Sequence, residues 1–184
     1  MKQRKRFRLS VLEIVLFSML GTLMFVLQLV MELLPNIHFG AMLIITYTVV
    51  FRKKALFPIY VYVFLVGIRW GFSLSWLPYL YLWTLLWLAV MLLPPRLSPK
   101  LGMIVYPTVG FLHGALYGVL YAPAQALLFG LNFRQTLLWI AGGFWFDVLH
   151  SLGNLAACTL VVPLAAILKR LARTWRLHLP SEKE

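Results

Sequence analysis

Residues 11–34 read VLEIVLFSMLGTLMFVLQLVMELL, an apolar run in which only Glu13 and Glu32 are charged. An α-helix of about 20 apolar residues crosses the hydrocarbon core of a bilayer. The run follows the basic segment KQRKRFR at 2–8 and continues without a small-residue cleavage site. We therefore interpret it as a retained first membrane helix rather than as a secretory signal peptide.

The composition extends this interpretation to the whole chain. Of 184 residues, 62% are hydrophobic and 12% are charged, and the mean hydropathy is +0.87. A soluble domain of this length could not bury so much apolar surface, whereas lipid allows apolar side chains to face outward. The net charge of +12 would suit nucleic acid, but the basic residues lie between apolar runs, which favours a role in membrane orientation. The single cysteine, Cys158, excludes an intrachain disulfide and a Cys-rich metal site.

Turn residues and charge clusters divide the chain into six apolar segments within one membrane domain, 1–184. The predicted spans cover roughly 11–34, 39–51, 55–70, 76–93, 101–121 and 137–168. The second and third are short for a bilayer, so we expect them to be tilted, broken or partly re-entrant. With six spans, all Lys and Arg residues except Arg69 and Arg134 fall on one side. The positive-inside rule then predicts an all-α integral membrane protein with six transmembrane helices and both termini in the cytoplasm.

Polar residues inside the spans are the candidates for function, because burying them in lipid is costly. In the sixth span, Asp147, His150 and Asn154 are spaced to share one helical face. They could hold a cation, relay protons or bind a polar ligand, or they could hydrogen-bond each other or a neighbouring helix for packing. A metal site would need a third ligand, from His113 or His38.

The fourth and fifth spans carry stripes of aromatic and small residues. The fourth holds Trp76, Tyr79, Trp83 and Trp87, and the fifth holds His113, Tyr117, Tyr121 and Gln125 beside a stripe of Gly110, Gly114 and Gly118. The glycine spacing is typical of a close helix–helix contact. The aromatic stripes either face a cavity, as a flat wall for a ring-containing ligand, or serve as lipid-facing and structural bulk. Arg69 is either an interfacial anchor or a cation for an anionic substrate.

Three local strings resemble a known family. These are IITYTVVFRKKAL at 44–56, YGVLYAPAQA at 117–126 and FDVLHSLGN at 146–154. With six short spans and no P-loop or other ATPase motif, the chain resembles the substrate-binding S components of energy-coupling-factor importers over most of its length.

The resemblance implies a protein of the prokaryotic cell membrane that captures a water-soluble vitamin from outside. It would have no enzymatic activity or cofactor of its own. Its partners would be a transmembrane coupling subunit and two cytoplasmic ATPases that use ATP and Mg²⁺, and it would release the vitamin inward by toppling. The overall resemblance of the sequence to the family favours cobalamin as the vitamin. Riboflavin, pantothenate, pyridoxine and a queuosine precursor remain open as alternatives.

Positions carried over from the family, together with the polar residues above, define the candidate binding set. It comprises Asn36, His38, Arg69, Trp76, Tyr79, Trp83, His113, Tyr117, Tyr121, Gln125, Asp147 and His150. Many S components have an Ala-x-x-x-Ala face on the first span for docking to the coupling subunit. This chain departs from that pattern and has the small residues Ser18 and Thr22 at the same spacing, with Gly21 beside them.

Two other function classes remain open from the residues alone. One is a small intramembrane enzyme that uses Asp147 and His150 as an acid–base pair on a lipid or prenyl substrate. The other is an ion- or metal-conducting oligomer in which the same residues line a pore.

Overall fold

The structure, a computed structural model, describes residues 9–33, 38–95 and 97–175. Within these ranges the regular secondary structure is helical, with no strand, which confirms the predicted all-α class. The helices are α1 (Val11–Met31), α2 (Gly40–Phe51), α3 (Leu56–Trp70), α4 (Tyr79–Met91), α5 (Pro99–Ala115), α6 (Tyr117–Phe129), α7 (Phe133–Cys158) and α8 (Val161–Thr174). A 3₁₀ turn, Arg52–Ala55, joins α2 to α3.

Two helical stretches are long and apolar enough to cross a bilayer. These are α1, with a hydropathy of 2.3, and the combined α5 and α6 stretch, Pro99–Phe129, with a hydropathy of 1.4. The α7–α8 pair passes the same test only as a bent unit, and α4 is a shorter apolar helix. The described part of the chain therefore has two, or with the bent pair three, helices of spanning length, as expected of a membrane protein.

The last two predicted segments differ from the observed helices. The fifth continues past its predicted end at residue 121 as far as Phe129, although Pro123 lies inside α6. The sixth consists of two helices that meet at an angle of 50°. Pro163, in the first turn of α8, cannot donate a hydrogen bond to the Thr159 carbonyl, so the helical ladder is interrupted at the bend.

The short helix α2 forms the centre of the molecule. Nearly all of its residues are buried, including Ile44 and Ile45, which have no exposed surface. A helix that is apolar on all sides needs neighbours on all sides. The hydroxyls of Thr46 and Thr48 donate to the Met42 and Ile44 carbonyls one turn earlier, so neither is left unpaired in this core.

One end of the molecule gathers basic residues. Lys54 pairs with Glu13, which brings the start of α1 to the turn between α2 and α3. Arg52 Nη2 donates to the Met91 carbonyl at 2.9 Å, which brings the end of α4 to the same turn. We call this the basic end. The opposite end, where α1 and α3 finish and α2 and α4 begin, is called the cavity end.

Candidate functional site

A cavity of about 450 Å³ lies among α1, α2, α3, α4, α6 and α7, towards the cavity end. Most of the candidate binding residues line it, although they come from separate parts of the sequence. Those residues are His38, Tyr79, Trp83, Tyr117, Tyr121, Gln125, Asp147 and His150. The structure therefore places the aromatic stripes and the Asp147–His150 face around one space, which we call the main cavity.

Trp83 is the centre of the aromatic wall. Its ring centroid lies 6.0 Å from that of Tyr79 and 6.1 Å from those of Tyr62 and Tyr117. Tyr79 and Trp83 are four residues apart on α4 and so point to the same side of that helix. Trp83 itself is only 4% exposed, and its indole Nε1 has no hydrogen-bond partner within the described chain.

The other two members of the α4 stripe lie outside the main cavity. Trp87 Nε1 donates to the Arg52 carbonyl at 3.1 Å, so this ring belongs to the basic end. Trp76 Nε1 donates to the Val63 carbonyl at 2.9 Å and lies at the cavity end. Of these four residues, Tyr79 and Trp83 therefore line the main cavity, and Trp76 and Trp87 do not.

A second pair of rings encloses the cavity from α6 and α7. Trp139 stacks on Tyr121, with centroids 5.7 Å apart and planes inclined by 25°. The Tyr121 hydroxyl donates to the Ser75 carbonyl at 2.7 Å, which fixes α6 against the loop between α3 and α4. Aromatic pairs with this geometry stabilise each other beyond their buried area.

Asp147 is the only acidic residue that lines the main cavity among the described residues. Both of its carboxylate oxygens accept from the backbone N–H of Gly118, at 3.2 and 3.1 Å. Gly118 follows the break between α5 and α6 at Leu116, where N–H groups at the start of a helix lack partners within it. Asp147 therefore caps α6 from α7, and its negative charge lies at the positive end of that helix.

The histidines contact aromatic rings. The His150 ring centroid is 4.9 Å from that of Tyr117 and 5.4 Å from that of His38. His113 does not line the cavity but lies behind Trp83, with Nε2 3.3 Å from the Leu82 carbonyl. In the described ranges, no group of three His, Cys, Asp or Glu side chains could hold a metal ion.

Asn154, the third member of the α7 polar face, has a packing role. Its Nδ2 donates to the Gly110 carbonyl at 3.2 Å, which links α7 to α5. A Cβ atom at Gly114 would lie 2.7 Å from Ser151 Cα, so glycine is required for the two backbones to approach. The close helix contact predicted from the glycine stripe is confirmed.

A second cavity of about 400 Å³ adjoins the first, and we call it the vestibule. The two spaces share Gln28, Tyr79 and Tyr121 in their linings. Residues that line only the vestibule include Glu32 near the end of α1 and Trp76 in the loop before α4. The vestibule therefore lies beyond the main cavity at the cavity end.

The remaining candidates lie elsewhere. Arg69 is exposed, lines neither cavity, and has its guanidinium carbon 5.2 Å from the centroid of the Trp70 ring. Asn36 lies outside the described residues. Ser18 and Thr22 are exposed on α1. Gly21 is buried against α3, so it does not share a free face with them.

Several lining residues were not among the sequence candidates. The principal ones are Met24, Gln28, Tyr62, Trp139 and Phe146. The sequence does contain a signal for Trp139, because Trp139, Gly143 and Asp147 recur every four residues and so share a helical face. The sequence contains no such signal for Tyr62, because its position in the cavity wall depends on a hydrogen bond from its hydroxyl to Gln28 on α1.

Comparison of the chain with protein-family models, with curated proteins and with solved structures found no match. The functional argument therefore rests on the geometry and chemistry of the two cavities. Fold alone carries no function, whereas a site with defined chemistry restricts what can bind.

Proposed function

We propose that this chain is a six-span membrane protein that captures a small, ring-containing nutrient from outside the cell, as the substrate-binding S component of an energy-coupling-factor importer. The observation that carries the proposal is the main cavity. Candidate residues from α4, α6 and α7 converge on it, and they combine an aromatic wall with polar side chains such as Gln125, Asp147 and His150. Small-molecule sites are typically cavities of about 300–1,000 Å³ with this composition.

The arrangement of the helix ends supports the proposed topology. Arg52, Lys53 and Lys54 lie together in the turn at the basic end. By the positive-inside rule, the basic end faces the cytoplasm and the cavity end faces outward. The 12 residues of α2 are too few to cross a core of about 30 Å at about 1.5 Å per residue. Its enclosure by other helices compensates for this, since it need not meet lipid along its length.

Cavity size bears on which vitamin is bound. A corrinoid such as cobalamin is much bulkier than a flat vitamin, so it would need the main cavity and the vestibule to merge. Riboflavin, pyridoxine or a queuosine precursor would need only the main cavity of about 450 Å³. The aromatic rings around Trp83 suit a flat ring that stacks between them.

The energy for uptake would come from partners. We propose a transmembrane coupling subunit and two cytoplasmic ATPases, because the sequence has no nucleotide-binding motif. The exposed face of α1 around Ser18 and Thr22 is the proposed docking surface. Small side chains there would allow a partner helix to approach closely.

The two other function classes receive less support from the geometry. An acid–base pair requires its members to share a proton path, but the hydrogen bonds that the structure gives the Asp147 carboxylate come from Gly118 and not from His150. Within one copy of the described chain, no group of three His, Cys, Asp or Glu side chains could hold a metal ion, so a metal-conducting oligomer would need ligands from several copies.

The direct test is a binding measurement on the purified chain in nanodiscs. Each candidate vitamin is added while tryptophan fluorescence is followed, and the binder is then tested for ATP-driven uptake in liposomes with and without the coupling module. We expect tight binding by the chain alone and uptake only with the module. Absence of binding to every vitamin, or uptake without ATP, would contradict the proposal.

Two α7 variants form a matched control for this assay. Trp139 lines the cavity, whereas Trp145 on the same helix is 71% exposed. Trp139→Phe should reduce the ligand-dependent fluorescence change, and Trp145→Phe should leave it intact. Equal effects of both substitutions would mean that the ligand binds elsewhere.

A further inference from the structure

Charged residues are distributed unevenly between the cavities and the rest of the molecule. The chain has 17 Lys and Arg but only 5 Asp and Glu. Among the described residues, no Lys or Arg lines either cavity. Asp147 lines the main cavity and Glu32 lines the vestibule. Among the described residues, Asp147 and Glu32 are therefore the only Asp, Glu, Lys or Arg side chains that line these two cavities, although the protein is strongly basic.

The other carboxylates do not contribute to this pattern. Glu13 pairs with Lys54 at the basic end, and Glu182 and Glu184 lie outside the described residues. The sequence between α1 and α2 that the structure does not describe, LPNI at 34–37, carries no charge. In the described chain, the two carboxylates other than Glu13 are therefore Asp147 and Glu32, and each of them lines a cavity.

Aromatic faces add a second attraction for positive charge. The main cavity is lined by Tyr62, Tyr79, Trp83, Tyr117, Tyr121 and Trp139. The faces of such rings are electron-rich, and they attract ammonium and other organic cations that lie within about 6 Å of a centroid. Shielding from water strengthens the attraction of a carboxylate for the same cation.

One local feature opposes the negative electrostatic potential of these carboxylates. The first turn of α6 carries a partial positive charge of about half a unit and faces Asp147 through the Gly118 N–H. This offsets only part of one carboxylate charge and none of that at Glu32. Each carboxylate oxygen also has two acceptor sites, so Asp147 can accept from a ligand while it caps α6.

We infer that the ligand of this site is an organic cation, either a protonated amine or a heteroaromatic ring that carries positive charge. The inference rests on the proposed function in that it assumes the main cavity is the ligand site. The ring of the ligand stacks among the aromatic side chains, and its charge lies near Asp147. Anionic ligands such as pantothenate are disfavoured, because no Lys or Arg in the described lining would balance their carboxylate.

A panel of compounds sorted by charge tests the inference. The purified chain in nanodiscs is titrated at neutral pH with three cations (thiamine, choline and 7-aminomethyl-7-deazaguanine). The neutral compounds are riboflavin, pyridoxine and cobalamin, and pantothenate is the anion. We expect the tightest binder to be a cation, with an affinity at least tenfold above that of any neutral or anionic compound.

Variants then connect affinity to the carboxylates. Asp147→Asn removes the charge but keeps an oxygen that can accept from Gly118, so the protein should fold. We expect it to weaken cation binding at least tenfold, and Glu32→Gln to weaken it less, because the vestibule is more open. Glu13→Gln removes a carboxylate at the basic end and should leave affinity unchanged.

The outcomes separate this inference from the proposed function. A neutral or anionic vitamin as the tightest binder would overturn the inference and leave the proposed function standing, as would unchanged cation affinity in Asp147→Asn. Binding of choline alone would support the cation site and contradict vitamin capture. Binding of no compound in the panel would contradict both.

Discussion

The Asp147 carboxylate on α7 accepts from the Gly118 backbone N–H on α6 through both oxygens, at 3.2 and 3.1 Å. This contact joins the start of α6 to the cavity wall and holds the only described acidic residue of the main cavity in place. Helix packing and the proposed ligand binding therefore involve the same side chain. For this reason the two roles could not be separated for Asp147 from its sequence position.

Gly118→Ala should expose this dependence. A Cβ atom at this position would overlap Asp147 Oδ2, so the carboxylate must turn away and lose its hydrogen bond. Loss of a charge-assisted hydrogen bond costs about 1.5–3 kcal/mol, partly offset by the better helix propensity of Ala, about 1 kcal/mol. We expect a lower unfolding temperature and weaker ligand binding in the same detergent-solubilised protein.

Gly142→Ala is the matched control for that substitution. Gly142 lies on α7, and nothing lies within 4 Å of where its Cβ would be. Ala should therefore be neutral or stabilise the helix by up to about 1 kcal/mol. Equal losses of binding in the two variants would show that the Gly118–Asp147 contact has no special role.

The first helix offers a second test, because Gly21 and Thr22 face opposite environments. A Cβ at Gly21 would lie 2.7 Å from the Pro58 carbonyl oxygen, and backbone cannot move aside as a flexible side chain can. Gly21→Ala should therefore destabilise the protein by about 1–3 kcal/mol, measured by thermal unfolding. Thr22 is exposed, and its hydroxyl bonds only to the Ser18 carbonyl of the same helix.

Thr22→Leu should consequently keep stability and ligand affinity but block uptake that depends on the coupling subunit. The measurements are ligand titration of the isolated chain and ATP-driven uptake in reconstituted liposomes. If uptake stayed normal, the α1 face would not be the docking surface. If binding fell with uptake, the substitution would have disturbed the fold.

The Glu13–Lys54 pair should be coupled strongly to folding. The two side chains are only 5% and 17% exposed, so Lys54→Met leaves a buried carboxylate without its partner. Breaking a buried pair from one side costs about 3–5 kcal/mol, and we expect the lower value because Lys54 is partly exposed. Glu13→Gln should cost less, since Gln at this position retains the capping box with Ser10 and Lys54 can extend to water.

The double variant Glu13→Gln/Lys54→Met provides the control for that comparison. It contains no unpaired carboxylate, so it should be more stable than Lys54→Met alone. Thermal unfolding of the four proteins in one detergent gives the coupling between the two sites. Additive losses would show that the ion pair makes no specific contribution.

The sequence was informative about structural features that depend on a single segment of the chain. Long apolar runs predicted the helical class, and spacing of four residues predicted that Tyr117 and Tyr121 share a face. Spacing also placed Asp147 and His150 together, since both lie on one helix. These features depend on local periodicity, which folding preserved around the cavity.

Features that arise between segments were not predicted. The bend between α7 and α8 falls inside the predicted sixth span, where apolar residues continue on both sides of Pro163. Gly21 was grouped with the docking residues as a small neighbour of Thr22, and only its contact with α3 shows that it is internal. Tyr62 enters the cavity lining through a partner on another helix. Pairwise contacts of this kind are not encoded in the periodicity of either segment.

Cysteine labelling of intact cells tests the proposed orientation. Ser73 lies in the loop at the cavity end, Lys53 lies in the turn at the basic end, and both are exposed. The native Cys158 is 1% exposed, so the unmodified protein should react little and serves as the control. A membrane-impermeant maleimide should label Ser73→Cys in intact cells, but Lys53→Cys only after the cells are permeabilised. The reverse pattern would place the cavity towards the cytoplasm, and labelling of both in intact cells would show that the two ends are not on opposite sides of the membrane.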